Sequence, residues 1–270
     1  MVAPFSFLGK QFSMYMIMAF IGIIASAIYL YFSTRGKNYR RDHFLEIFAF
    51  ALIGALIGGH LLYFFTRIDT LIMLIKNDYP FFKSWDHFTD AARTLFGGGV
   101  FYGGLFGGIL GAYLYCRSSK IDFDLHASAF TPAVPLFHTF GRIGCFMGGC
   151  CYGIECESGV RFPYSMTADP EKTYFPIQLV EAAFNLVLFI FLLVLFIKKK
   201  PKKVNLLMIY LPVYAAGRFI IEFFRGDSVR GIYFGLSTSQ WISIAVIAVS
   251  AIIIIKKTSG KHTSNESESL

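Results

Sequence analysis

The sequence predicts an all-α, polytopic membrane protein with about seven transmembrane helices. Of its 270 residues, 55% are hydrophobic and only 16% are charged, whereas a soluble domain carries roughly a quarter charged residues. The 25 lysines and arginines fall in short clusters beside apolar runs, which is typical of membrane spans and not of a phosphate-binding groove. We therefore expect membrane lipids, and no nucleic acid, as partners.

Seven apolar runs are long enough to cross a bilayer, which takes about 20 helical residues. They cover residues 13–33, 44–66, 98–116, 126–147, 178–197, 204–224 and 237–255. The first run contains Ala25-Ser26-Ala27, which looks like a cleavage site, but its basic cluster follows it, so we expect a retained span. We expect one membrane-embedded domain, 1–257, and a disordered cytoplasmic tail, 258–270, rich in Ser, Asn and Glu.

The basic residues also predict the orientation of these spans. If the cluster Arg35–Arg41 is cytoplasmic, the cytoplasmic segments hold fourteen lysines and arginines, and the longer outer segments hold nine. Because cytoplasmic loops are enriched in these residues, we expect the N-terminus outside and the C-terminus in the cytoplasm. The two longer outer loops, about 67–97 and 148–177, contain aromatic residues and prolines, and a short interfacial helix is expected there.

Ionisable residues inside spans are costly and mark function by default. In the sixth span, Tyr214, Arg218, Glu222 and Arg225 are spaced four, four and three apart, which places them in one stripe of a helix. Glu222 can neutralise only one of the two arginines, and the guanidinium fork matches phosphate or carboxylate oxygens. The alternative for Glu222 is a structural pair with arginine that holds two helices together.

Other spans carry polar residues near the same predicted end. Arg142 lies in the glycine-rich end of the fourth span, and His138 shares its helix face. The fifth span begins with Gln178 and Glu181, and the glycine-rich third span holds Tyr102. Interhelical hydrogen bonding and tight helix packing are the alternative interpretations. Three arginines against two acids in one leaflet predict an anionic, amphiphilic ligand, for which a phospholipid headgroup fits best.

Five short motifs, in order and at the right spacing over roughly residues 13–255, resemble motifs of the bacterial prolipoprotein diacylglyceryl transferases. They are Gly58-Gly59-His60-Leu61-Leu62-Tyr63, Gly99-Val100-Phe101-Tyr102-Gly103-Gly104-Leu105, Gly141-Arg142-Ile143-Gly144 with Gly153, Pro176-Ile177-Gln178-Leu179-Val180-Glu181-Ala182, and Tyr214, Arg218, Glu222 and Arg225. The resemblance implies a seven-span enzyme of the bacterial cytoplasmic membrane. Such an enzyme transfers the diacylglyceryl group of phosphatidylglycerol to the cysteine thiol of a prolipoprotein signal peptide, the first step of lipoprotein maturation, without metal or cofactor.

The resemblance also implies residue roles. Arg142 and Arg218 would hold the phosphate and stabilise the negative charge that grows on its leaving oxygen. Glu222 would orient Arg218, and Tyr102 completes the implied catalytic set. The implied lipid-binding residues are Arg142, Arg218, Arg225, Tyr214, Gly103, Gly104, Gly153, Gln178 and Glu181.

Several positions depart from the family pattern, among them His60, which stands where an arginine is usual, and Met14, which stands at the position of a family tyrosine. Tyr102 stands where the family has a histidine, and a phenol with a pKa near 10 is a poor base at neutral pH. His138 is the alternative base. Cys145 replaces an asparagine and Cys150 an acidic residue. Two other functions therefore remain open, namely a related transferase with another acceptor and a non-catalytic protein that binds or transports phospholipid.

Four of the five cysteines lie within twelve residues, at positions 145, 150, 151 and 156. Their spacing lacks the two-residue knuckle that is usual in zinc sites, so no metal is expected. A disulfide or redox role, a zinc site and a transient acceptor thiol are the alternatives to cysteines that act as small apolar residues in a tight helix end.

Overall fold

A computed structural model gives the structure of the chain and describes residues 5–7, 10–35, 39–165, 167–198, 205–226 and 232–267. Helices dominate, as the sequence predicts. The helices are α1 Met14–Thr34, α2 Phe44–Thr66, α3 Ile68–Lys76, α4 Trp85–Phe96, α5 Phe101–Ser118, α6 Phe123–Phe130, α7 Ala133–Gly148, α8 Ile177–Lys198, α9 Leu206–Ile221 and α10 Thr238–Ser267. Short strands form three antiparallel pairs, which are β1 Phe5–Phe7 with β2 Lys10–Phe12, β3 Glu155–Arg161 with β4 Thr173–Tyr174, and β5 Ile232–Tyr233 with β6 Leu236–Ser237.

Five helices of the described chain are long and apolar enough to cross a membrane. They are α1, α2, α8, α9 with the turn that follows it, and α10. The pair α4 and α5, bent by 86° at residues 97–100, adds a sixth if the pair is one broken span. The chain is therefore a multi-pass membrane protein, while the number seven and the orientation of the termini stay predictions.

The predicted span 126–147 is divided into two helices, α6 and α7. The Thr131 N–H donates to the Ala127 oxygen at 2.8 Å at the end of α6, and Pro132 is the N-cap of α7. Proline fixes φ and offers no N–H, so it fits ahead of a new helix and not inside a continuous one. Neither half reaches the length of a transmembrane helix by itself.

The chain forms two compact units, one of residues Met1–Lys37 with Asp124–Leu270 and the other of Asn38–Phe123. In the first unit, α7 packs between α1 and α8, and α9 packs against α8 and α10. The prediction of a single domain over 1–257 stays a prediction. The helix α10 continues to Ser267, into the segment 258–270 predicted as a disordered tail, and the disorder of that segment stays a prediction too.

The second unit is held together by the packing of α2 against α5 through small residues. A Cβ atom added at Gly58 would overlap the carbonyl oxygen of Gly103, and one at Gly107 would overlap the carbonyl oxygen of Gly54. The two backbones therefore approach each other as closely as glycine allows, which is a common packing mode of helices in lipid. Most of the glycine run at the start of α5 serves this contact.

Candidate active site

A cluster of buried charges lies in the first unit, where α7, α8 and α9 pack together. Arg142 on α7 is 9% exposed, Glu181 on α8 2%, Arg218 on α9 7% and Glu222 6%. Buried charges are costly unless they are paired and hydrogen-bonded, and losing one partner leaves the other uncompensated. The charges of the cluster therefore depend on one another, and none of them can be removed without affecting the rest.

Glu181 is the centre of this cluster. The Arg142 Nε contacts its Oε2, and the Arg218 Nη1 donates to its Oε1 at 2.7 Å. The Arg225 Nη1 lies 3.4 Å from the same Oε1. Three guanidinium groups from three separate segments thus converge on one carboxylate, although no two of them are neighbours in the sequence.

Glu222 supplies the second carboxylate of the cluster. Its Oε2 lies 2.6 Å from the Arg218 Nη2, a pair four residues apart in the chain, as the stripe predicts. The same Nη2 lies 3.5 Å from the Ser239 Oγ at the start of α10. Three arginines and two glutamates leave a formal charge of +1 at the cluster, which matches the excess positive charge predicted from the sequence.

The predicted helical stripe extends past the end of α9. The helix ends at Ile221, Glu222 begins a 3₁₀ turn, and Arg225 has extended backbone that forms a bridge with Gly153. Arg225 still reaches the cluster because this bridge ties it to the loop that follows α7. A purely helical projection of the sequence could not show that contact.

His138 lies one helical turn before Arg142 on α7. The Arg142 Nε donates to the His138 Nε2 at 3.1 Å, so this nitrogen is the acceptor and the ring proton lies on Nδ1. The imidazole is tilted against the Tyr214 ring, with 5.7 Å between centroids. His138 is buried, and its two described contacts are with Arg142 and Tyr214.

Gln178 and Gly153 hold the backbone around the cluster. The Gln178 Nε2 donates to the Cys150 oxygen at 2.8 Å, and the Gly153 N–H donates to the Phe175 oxygen at 3.0 Å. A Cβ atom at Gly153 would lie 2.8 Å from the Phe224 oxygen, so only glycine allows the chain to pass here. Their predicted contact with substrate stays a prediction.

Tyr102, Gly103 and Gly104 belong to the second unit, at the start of α5. Tyr102 is 2% exposed, and its ring is stacked on that of Phe106 with 6.1 Å between centroids. Gly103 packs against the α2 backbone, while a Cβ at Gly104 would have its nearest neighbour at 3.4 Å. The predicted roles of these three residues in binding and catalysis stay predictions.

A cluster of thiols follows Arg142, in the segment where the sequence places four cysteines within twelve residues. The sulfur atoms of Cys145, Cys150 and Cys151 all lie within 4.8 Å of one another. The chain reverses at Gly149, which has φ 69° and caps α7, and at Cys151, which has φ 57°. In the sequence, the pair Gly148-Gly149 indicates the end of this helix, because a glycine in the left-handed region commonly ends a helix.

The chain is similar in sequence to proteins of one family. The family model for prolipoprotein diacylglyceryl transferase matches residues 3–256. The chain is 34% identical over 251 residues to a phosphatidylglycerol–prolipoprotein diacylglyceryl transferase of Clostridium tetani, which covers 92% of this chain and 94% of the relative. It is 33% identical over 266 residues to a second enzyme of that name, numbered 2, from Clostridium perfringens, with 96% of each chain covered. The chain belongs to the prolipoprotein diacylglyceryl transferase family.

Proposed function

We propose that this chain transfers the diacylglyceryl group of phosphatidylglycerol to the cysteine thiol of a prolipoprotein signal peptide, in the bacterial cytoplasmic membrane. The relatives carry this activity in their names. The observation that carries the proposal is the convergence of Arg142 and Arg218, from two helices, on the Glu181 carboxylate.

The charge of the cluster suits a phosphodiester headgroup. The three arginines and two glutamates sum to +1, so one phosphodiester of charge −1 brings the cluster to neutrality. Guanidinium groups offer several N–H donors in a planar fork, and the carboxylates hold those forks in fixed orientations. Glu181 and Glu222 are in this view positioning residues, and Arg142 and Arg218 are the groups that touch the phosphate.

The reaction is a displacement at carbon. The thiolate sulfur of the acceptor peptide attacks the glyceryl carbon, the C–O bond to the phosphate breaks, and its electron pair stays on the departing oxygen of glycerol phosphate. Negative charge grows on that oxygen, and preorganised guanidinium groups stabilise it in a site of low dielectric constant. Arg225 and Tyr214 line the headgroup side of this site in the proposal.

The acceptor thiol must also lose a proton, for which Tyr102 and His138 are the two candidates. The His138 Nε2 already accepts a hydrogen bond from Arg142, and a second positive charge beside that guanidinium would be unfavourable. We therefore assign His138 to positioning Arg142. Tyr102, by its place in the family motif, is the remaining candidate for the proton, which it can take only as the phenolate.

The test is transfer of labelled diacylglyceryl to a lipoprotein signal peptide by purified protein in phosphatidylglycerol vesicles, read by the mass of the peptide. Arg142→Gln and Arg218→Gln should each lower the rate by about 100-fold or more, since each removes a donor to the developing charge. Arg161→Gln, an exposed arginine on β3, is the matched control and should keep the wild-type rate.

The same assay separates the alternatives. Product that persists undiminished in both arginine variants would contradict the assigned roles. Phosphatidylglycerol that is consumed while the peptide stays unmodified would favour another acceptor, and lipid that binds but never turns over would favour a non-catalytic protein.

A further inference from the structure

Three thiols lie close enough together to bind a single metal ion. The sulfur atoms of Cys145, Cys150 and Cys151 lie within 4.8 Å of one another. With a zinc–sulfur bond of about 2.3 Å, three sulfurs around one ion are about 4 Å apart. A shift of less than an ångström per side chain therefore brings the three sulfur atoms to these spacings.

The backbone that presents these thiols is held in place by hydrogen bonds to neighbouring residues and within the turn itself. The Ser165 Oγ donates to the Gly149 oxygen at 2.7 Å, and the Gln178 Nε2 donates to the Cys150 oxygen at 2.8 Å. The Cys150 N–H donates to the Cys145 oxygen at 3.1 Å. Cys151 occupies the left-handed region, which a non-glycine residue adopts only where its surroundings enforce it. The turn is thus formed before any ligand binds.

The ligand set is soft and lies in a positive field. In the described residues, the group contains three cysteines and no histidine or carboxylate. Thiolates select soft ions such as Cu⁺ and Zn²⁺ over the hard ions that prefer oxygen. The charge of Arg142, three residues before Cys145, acts on all three thiols, and a positive neighbour offsets the negative charge that three thiolates would bring together.

We propose that Cys145, Cys150 and Cys151 form a binding site for one soft d10 metal ion, Zn²⁺ or Cu⁺, next to the arginine cluster. The three thiols release their protons to solvent on binding, and the three thiolates sum to −1 with Zn²⁺ and to −2 with Cu⁺, so either ion offsets the +1 of the arginines and glutamates. Binding of the ion thereby removes the charge that attracts a phosphodiester. On the proposed function, on which this consequence rests, the ion is an inhibitor and not a cofactor.

The site can be tested on the full-length, reduced protein in detergent by titration with Cd²⁺, followed through the ultraviolet sulfur-to-cadmium charge-transfer absorbance. We expect one Cd²⁺ per chain, displaced by Zn²⁺. The double variant Cys150→Ser/Cys151→Ser should lose more than about 100-fold in affinity, because two of three ligands are gone. Cys156→Ser, a change in a partly buried cysteine outside the group, is the matched control and should bind as the wild type does.

Equal Cd²⁺ affinity in the wild type and the double variant, or an equal loss in Cys156→Ser, would overturn the proposal. Because serine could disturb the turn, Cys150→Ala/Cys151→Ala with an unchanged elution volume and melting temperature serves as a second variant. If it too binds Cd²⁺ normally, the site is refuted.

The regulatory consequence has its own readout. Zn²⁺ should weaken binding of fluorescent phosphatidylglycerol by the wild type in detergent and leave binding by the double variant unchanged, and equal weakening in both would refute the link. The metal titration needs no transfer reaction. Cadmium binding without diacylglyceryl transfer would therefore contradict only the proposed function. Diacylglyceryl transfer by a protein that shows no cadmium absorbance would contradict only the metal site.

Discussion

One carboxylate organises the three arginines of the candidate active site. Without the charge of Glu181, three guanidinium groups and one carboxylate would remain in a buried place, and their mutual repulsion would no longer be offset. The carboxylate also lies against two guanidinium groups at once, since the Arg142 Nε contacts one of its oxygens and the Arg218 Nη1 donates to the other. Its effect on the reaction is thus expected through the arginines and not through contact with lipid.

We therefore expect Glu181→Gln to lower the free energy of unfolding by about 3–5 kcal/mol, the usual cost of breaking a buried pair. We also expect it to lower the transfer rate by about 100-fold. Thermal unfolding and the peptide transfer assay measure the two effects. Glu171→Gln, at an exposed position, is the control, and a Glu181→Gln protein with wild-type stability and rate would contradict the central place of this carboxylate.

The identity of the base can be separated from positioning with two substitutions. If His138 positions Arg142, a glutamine in its place can still accept the Arg142 N–H through its amide oxygen. His138→Gln should therefore keep most of the transfer activity and the same pH dependence. His138→Leu offers no acceptor and should lower the transfer rate about tenfold. Tyr102→His should keep or gain activity, because histidine titrates near neutral pH. Loss of activity and a changed pH profile in His138→Gln would make the imidazole the base, and a collapse in Tyr102→His would give the phenol a role that histidine cannot replace.

The helices were predicted best where apolar composition alone determines them. The bounds of α2 agree with the predicted span 44–66, and α8, at Ile177–Lys198, differs from its prediction by one residue at each end. The division of span 126–147 at Pro132 was missed because a sum of hydropathy over a window does not register the missing N–H of one proline. The loop 67–97, for which a short interfacial helix was expected, contains two helices, α3 and α4.

The contact of α2 with α5 gives a prediction with a control in the adjacent residue. A Cβ at Gly58 would overlap the Gly103 carbonyl oxygen, whereas the nearest neighbour of a Cβ at Gly59 would lie at 3.7 Å. Gly58→Ala should therefore force the helices apart and cost about 1–3 kcal/mol, while Gly59→Ala should be neutral or slightly stabilising. Thermal unfolding in detergent compares the two variants. Equal melting temperatures would show that α2 and α5 do not approach each other at Gly58 as closely as described.

Over the whole chain, the sequence predicted the excess positive charge of the site but not the contacts between helices that form it. The excess of arginine over acid within the apolar spans could be counted from the sequence, and the pairing of Arg218 with Glu222 follows from their spacing. The meeting of Arg142 with Glu181 joins two helices, so it depends on tertiary packing that no single-helix pattern contains. The thiol cluster depends in the same way on a reverse turn at Gly149 and Cys151.

The net charge of the site predicts which lipids the protein prefers. With a cluster charge of +1 in a setting of low dielectric constant, anionic phosphatidylglycerol should bind more tightly than zwitterionic phosphatidylcholine. Arg225→Gln lowers the cluster charge to zero while leaving the contacts of Arg142 and Arg218 with Glu181 in place. We expect it to weaken phosphatidylglycerol binding by about tenfold and to leave phosphatidylcholine binding unchanged. Binding of the two lipids in fluorescent form measures both effects.

Lys172→Gln removes an exposed lysine that pairs with Glu155 and is the control for general surface charge. If Arg225→Gln and Lys172→Gln weaken binding equally, the attraction comes from the charge of the whole surface, and the preference for anionic lipid cannot be ascribed to the buried cluster.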